Sequence, residues 1–190
     1  YICLLLYTIV NFTNARVFYR DLDHIFKKIE EEENIPKDLL KAISIQESYR
    51  PWAWTVAVNG KGYFFKTKKE AVDYVRTAIK TERNIDIGCM QINMIHHKNA
   101  FRSFEEAFTP ENNIRYAARF LRSLYEMANS WETAVERYHS ANVEFNQPYK
   151  KRVFSIWALL RDQRLNKVHV QDKLRQYKNS FQNHYIKVFY

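Results

Sequence analysis

Glu47 and Ser48 end a short apolar stripe in which Leu40, Ile43 and Glu47 are spaced i, i+3, i+7. A carboxylate projecting from a core-facing stripe is paired, sits at the rim, or is held protonated by desolvation. The protonated state is what a general acid needs near neutral pH, with an apparent pKa raised toward about 6. Two other stretches carry groups that could join it. Gly88-Cys89-Met90-Gln91-Ile92-Asn93 combines a permissive backbone with a thioether and two amides, and Tyr138-His139-Ser140 ends a short helical pattern with a phenol, an imidazole and a hydroxyl. Asp86, just before Gly88, is a second carboxylate. The short polar run Asn84 to Asp86 favours reading it as a turn or cap carboxylate. His96 and His97 are adjacent, and no spacing of His, Cys or carboxylates forms a ligand set, so neither metal nor cofactor is expected.

The elements that must position these groups are mostly helical. Asp21 to Glu33 reads as an amphipathic helix with Leu22, Ile25, Phe26 and Ile29 inward and a solvated acidic run at its end. Pro36 suits the first position of the helix that carries Glu47, which runs from Ile35 to Tyr49 and is stopped by Pro51. From Pro51 to Phe65 the period shortens, with Trp52, Trp54, Val56 and Val58 alternating with smaller residues. Asn59-Gly60 then supplies a tight turn, and Tyr63, Phe64 and Phe65 return, so a β-hairpin is predicted. Its aromatics either cover the core or form an exposed stacking surface. Thr67 and Glu70 form a capping box for a helix to about Lys80. Asn84 to Asn93 reads as a strand or turn. Thr109-Pro110-Glu111 opens a helix carrying Ile114, Ala117, Ala118, Leu121, Leu124 and Tyr125; Ser130 caps another with Trp131, Ala134, Val135 and Tyr138; Pro148 opens a last long one with Val153, Ile156, Trp157 and Leu160. All three glycines, Gly60, Gly62 and Gly88, lie between Glu47 and residue 93.

At 190 residues, 46% hydrophobic and 16% aromatic, the chain is globular rather than disordered. A net charge of +9 draws it toward something anionic, such as nucleic acid, acidic lipid or a bacterial wall polymer. Tyr1 to Val10 is nearly all apolar, too short to span a bilayer, and leads to Thr13-Asn14-Ala15, which reads as an export signal lacking its start and cut after Ala15. Cleavage there removes Cys3 and leaves Cys89 alone, so the mature fold relies on its core rather than on a disulfide. The domains expected are therefore a signal over 1–15, a main domain over 16–160 and a basic, aromatic tail over 161–190. That tail, with Lys167, Lys173, Arg175, Lys178, Tyr177 and Phe181, reads either as a solvated helix face or as an attachment to wall or membrane.

In their order along the chain, Glu47-Ser48, the Gly88-x-Met90-Gln91-Ile92-Asn93 loop and Tyr138 resemble the catalytic domain of the soluble lytic transglycosylases, over roughly Ile35 to Trp157. The resemblance implies a mainly α, lysozyme-like α+β fold with one small β-hairpin insertion, and cleavage of the bond between N-acetylmuramic acid and N-acetylglucosamine in peptidoglycan. It implies that Glu47 is the single acid/base, protonating the glycosidic oxygen and then deprotonating the C6 hydroxyl of the muramoyl residue to give a 1,6-anhydro product. Ser48 would contact the reacting sugar, unless it only bonds backbone. Met90, Gln91 and Asn93 would line the groove. Tyr138 would hold the Glu47 carboxyl, unless it only packs. Cys89 stands where the family usually has Leu, and Arg137-Tyr138-His139 where it usually has Ala-Tyr-Asn, so His139 either takes over a substrate contact or is structural. The implied partner is peptidoglycan in the periplasm or cell envelope, not nucleic acid. Wall recycling, service to a secretion machine and attack on a host wall all use such a domain. The rival readings are an idle glycan-binding accessory protein and a muramidase, in which Asp86 would face Glu47 at glycosidase distance and water would be the acceptor.

Overall fold

The computed structural model describes residues 22–48, 53–162 and 167–179. The expected signal over 1–15 lies outside them, as do Pro51, Trp52 and Phe181. Helix α1 (22–32) buries Leu22, Phe26 and Ile29 as its periodicity requires. The end of α1 departs from expectation. Glu30, read as part of a solvated acidic run, is only 3% exposed, and its carboxylate accepts the backbone N–H groups of Asp38 at 2.8 Å and Leu40 at 2.9 Å. Those donors flank the start of α2 (Leu39–Ser48), Asp38 just before it and Leu40 in its first turn, so Glu30 caps that helix from a neighbouring element. Helix α2 consequently starts at Leu39 instead of near Pro36, because Asp38, at φ 66°, is left-handed and cannot continue a helix backward.

The hairpin forms as expected: β1 (Thr55–Val58) and β2 (Lys61–Phe64) pair antiparallel around Asn59 and Gly60, whose φ values of 51° and 79° suit a two-residue turn. Helix α3 (Lys68–Ala78) carries the complete Thr67–Glu70 capping box. The stretch after it adds β3 (Ile85–Ile87) and β4 (Ile92–Asn93), so the β element is a four-stranded antiparallel sheet in the order β2-β1-β3-β4 rather than a lone hairpin. Short strands of two or three residues carry too little alternation to be read in advance. A one-turn helix, α4 (Phe104–Ala107), precedes α5 (Pro110–Ala128) and α6 (Trp131–His139).

Helix α7 (Val143–Arg161) opens five residues before Pro148. Asn142 is its N-cap, accepting the Glu144 N–H at 2.9 Å, and Pro148 is accommodated inside the helix. Helix α7 packs on α2 and α6, and α8 (Lys167–Asn179) returns against α7 and buries Leu174, so this part of the expected tail contributes to the core.

Two hydrophobic clusters result. One joins α1, α2, α5, α6 and α7 through residues such as Phe26, Leu40, Ile114, Leu121, Val135 and Ile156. The other lies under the sheet, where Val56, Phe65, Val72, Val75, Ile85 and Phe108 meet. Phe65 is buried, and Tyr74 packs on both it and Tyr63 at about 5 Å, so the hairpin aromatics largely cover this second cluster. Residues 85–94 run between the two: Ile85, Ile87 and Met94 belong to the sheet cluster, Cys89, Met90 and Ile92 to the helical one.

Candidate active site

Helix α2 delivers Glu47 to its last turn, one residue before its end. The Tyr149 hydroxyl, from α7, donates to Glu47 Oε1 at 2.6 Å. Burial pushes the carboxyl up to about 8; the Tyr149 hydrogen bond and the Arg152 charge oppose this, and the charge of Asp86 adds to it. Glu47 therefore holds a proton at neutral pH. Tyr149 is 1% exposed, and its own pKa is driven well above the ordinary phenol value by burial and by the facing Glu47, so it remains a donor.

The loop beside Glu47 is fastened from two sides. From α2, Ser44 donates to the Cys89 carbonyl at 2.9 Å, and Ser48 donates to the Ser44 carbonyl at 2.9 Å with the Cys89 carbonyl 3.3 Å away. Ser48 is 1% exposed and its hydroxyl bonds backbone, the second of the two readings the sequence left open for it. From α5, the buried Asn113 side chain accepts the Met90 N–H at 2.9 Å and donates to the Ile87 carbonyl at 3.2 Å. Gly88 sits over this amide at φ 78°, and a Cβ there would overlap it. Met90 is fully buried in the helical cluster and does not line a groove: the Asn113 clamp turns the loop so that its side chain enters the core. Gln91, at φ 48°, folds back to donate to the Gly88 carbonyl at 2.8 Å and stays partly accessible. The Cys89 thiol is fully buried and pushed up to about 12, which makes it inert.

Asp86 sits between Ile85 and Ile87 on β3, whose side chains enter the sheet cluster, so alternation turns its carboxylate to the opposite face. Its register partner on β4 is Asn93, which donates to Asp86 Oδ1 at 2.8 Å and to Asn84 Oδ1 at 2.7 Å. The Asn93 oxygen accepts the N–H groups of Ile95 and His96, each at 3.0 Å. Asn93 thus spends its amide fixing Asp86 and the following turn. Burial raises the Asp86 pKa, while Asn93 and the His96 charge pull it back toward the ionised form.

The contact with Glu47 expected of Tyr138 is made by Tyr149. Tyr138 instead donates to the Met90 carbonyl at 2.9 Å, still close enough that both Glu47 and Asp86 raise its pKa alongside burial. His139 stacks on Tyr149 with ring centroids 4.4 Å apart and an interplanar angle of 5°. Among the described residues no group of three or more His, Cys, Asp or Glu side chains could hold a metal ion, and no helix is long and apolar enough to cross a membrane.

A proton-bearing Glu at a helix end, a phenol holding it and a tightly clamped Gly-x-Met-Gln-Ile-Asn loop suit acid/base work on a glycosidic bond. The family model of the transglycosylase SLT domain matches residues 24–154. The chain belongs to this family. No curated protein and no solved structure matches it. SLT membership agrees with the helical fold and its small antiparallel sheet, which is lysozyme-like, and implies lytic transglycosylase activity on peptidoglycan. Within this SLT domain, sequence reasoning passed over Tyr149 and Asn113. Asn113 left one signal: a polar residue on the Ile114, Ala117, Leu121 face of an amphipathic helix needs a buried partner.

Proposed function

We propose that the chain is an exported peptidoglycan lytic transglycosylase acting in the periplasm or cell envelope, with Glu47 as its acid/base. The observation that supports this best is the Tyr149 hydroxyl donating to Glu47 Oε1 at 2.6 Å at the end of α2, where burial raises the carboxyl toward its protonated form. Glu47 protonates the oxygen between N-acetylmuramic acid and N-acetylglucosamine, and the C1–O bond breaks with its electron pair leaving on that oxygen. The C6 hydroxyl of the same muramoyl residue attacks C1 and returns its proton to Glu47, closing a 1,6-anhydro ring. The acceptor comes from the substrate, so Glu47 serves in both steps. Gln91, in the loop fastened to α2, and His139, stacked on Tyr149, are both accessible and are the side chains proposed to meet the glycan, and the net charge of +9 suits an anionic wall.

Mass spectrometry of muropeptides released from purified peptidoglycan tests the reading. Fragments ending in 1,6-anhydromuramic acid, absent with Glu47→Gln, are expected. Reducing muramic ends alone would make the chain a muramidase, and no release would make it a binding protein.

A further inference from the structure

We propose that Asp86 is a second catalytic carboxylate, facing Glu47 across the reacting sugar and stabilising positive charge at the anomeric carbon. The inference rests on the glycan-cleaving reading of the same site.

Three observations converge on it. The alternation of β3 buries Ile85 and Ile87 in the sheet cluster and turns Asp86 to the other face. The register places Asn93 directly opposite, and its amide donor fixes the Asp86 carboxylate at 2.8 Å instead of leaving it to sweep through solvent. Ser48, beside Glu47, reaches the Cys89 carbonyl three residues past Asp86, and Tyr138 donates to the Met90 carbonyl, so α2 and α6 converge on the loop that leaves β3, and the charge of Asp86 acts on both Glu47 and Tyr138. Tyr149 and Arg152 complete the surroundings of Glu47, and Asn93 and His96 those of Asp86.

Glu47 is dominated by burial, which favours its protonated form. Burial is also the largest influence on Asp86, and each carboxyl has a donor and a positive charge opposing it: Tyr149 and Arg152 at Glu47, Asn93 and His96 at Asp86. Glu47, pushed up to about 8, is the proton donor of the pair, and Asp86, fixed by the Asn93 amide, is the negative charge. When the glycosidic C1–O bond breaks, C1 becomes electron-poor. Asp86 opposes that charge without forming a bond, and the muramoyl C6 oxygen supplies the new bond while its proton passes to Glu47. No co-reactant is needed. A preorganised charge of this kind contributes to kcat rather than to ground-state binding.

The test compares wild type, Asp86→Asn and Glu47→Gln on purified peptidoglycan, with the thermal midpoint of each variant recorded. Asp86→Asn keeps the shape and one acceptor for Asn93. It is expected to lower kcat by about 10² to 10³ fold with KM little changed. It should also move the basic limb of the pH profile to lower pH, since the negative charge that holds the Glu47 proton is gone. A folded Asp86→Asn with wild-type kcat and an unmoved basic limb overturns the proposal while leaving the glycan-cleaving reading intact. No release by the wild type overturns both. If Asp86→Asn does not fold, ¹³C NMR titration of the wild-type carboxyls decides: Glu47 and Asp86 each sensing the other's titration supports the pairing, and independent single-site curves overturn it.

Discussion

The hydroxyl of Tyr149 donates to Oε1 of Glu47 at 2.6 Å, joining residues 102 apart in the chain. Because the bond favours the carboxylate while burial favours the acid, Tyr149 both orients Glu47 and restrains its pKa. Tyr149→Phe removes the hydroxyl and leaves the ring for His139 to stack on. The expected result is a loss of about 10 to 10² fold in kcat, the size of a hydrogen bond to a charged group. The basic limb should move to higher pH. A pH–rate profile that drops in height without moving would mean that the tyrosine orients Glu47 without tuning it.

Glu47→Gln retains the volume and a hydrogen-bond acceptor for Tyr149 but cannot supply a proton. Release of muropeptides should fall by about 10² to 10⁴ fold while the fold persists, as judged by circular dichroism. In the wild type, activity that needs the protonated acid should decline above about pH 8. A decline already complete by pH 6, the region suggested by position in the helix alone, would contradict the burial of this carboxyl.

Stability should fall as pH rises. Burial pushes Glu30 up to about 7 and Glu47 to about 8, both above the ordinary 4.5, so the folded protein holds protons that the unfolded chain releases. Their contribution is full below about pH 4.5 and is lost as pH climbs through 7 and 8, about 3 kcal/mol for Glu30. Urea midpoints at pH 5 and pH 8.5 check this. Glu30→Gln should narrow the gap between them, and parallel profiles for wild type and variant would remove Glu30 as the cause.

Gly88 and Gly60 share nearly the same φ but not the same surroundings. At Gly60 a Cβ meets nothing, so Gly60→Ala is expected to cost about 1–2 kcal/mol from backbone strain alone. At Gly88 the Asn113 amide occupies the space, and Gly88→Ala should cost about 2–4 kcal/mol, adding overpacking to the strain. Equal thermal shifts for the two substitutions would show that the amide yields.

Much of this architecture was legible in the sequence because it is local. The Thr67–Glu70 box, the Asn59-Gly60 turn and the apolar stripe of α5 each announce themselves within a dozen residues. What escaped depends on partners far along the chain. Glu30 looked like its neighbours Glu31, Glu32 and Glu33 until α2 presented two N–H groups to it. Tyr149 was hidden behind Pro148, whose usual place at a helix start concealed that α7 had already begun at Asn142. Tyr138 and Tyr149 are both tyrosines near the end of the SLT match, and spacing alone could not say which reaches the acid.

The alternation of residues 85–94 between the two hydrophobic clusters has a mechanical consequence. Glu47 rides on the helical cluster and Asp86 on the sheet cluster, so the spacing of the two carboxyls is a property of how these units dock. Subglobal opening of either unit separates the carboxyls while most helical hydrogen bonds remain. Catalytic competence should therefore vanish at lower urea than the far-ultraviolet helical signal.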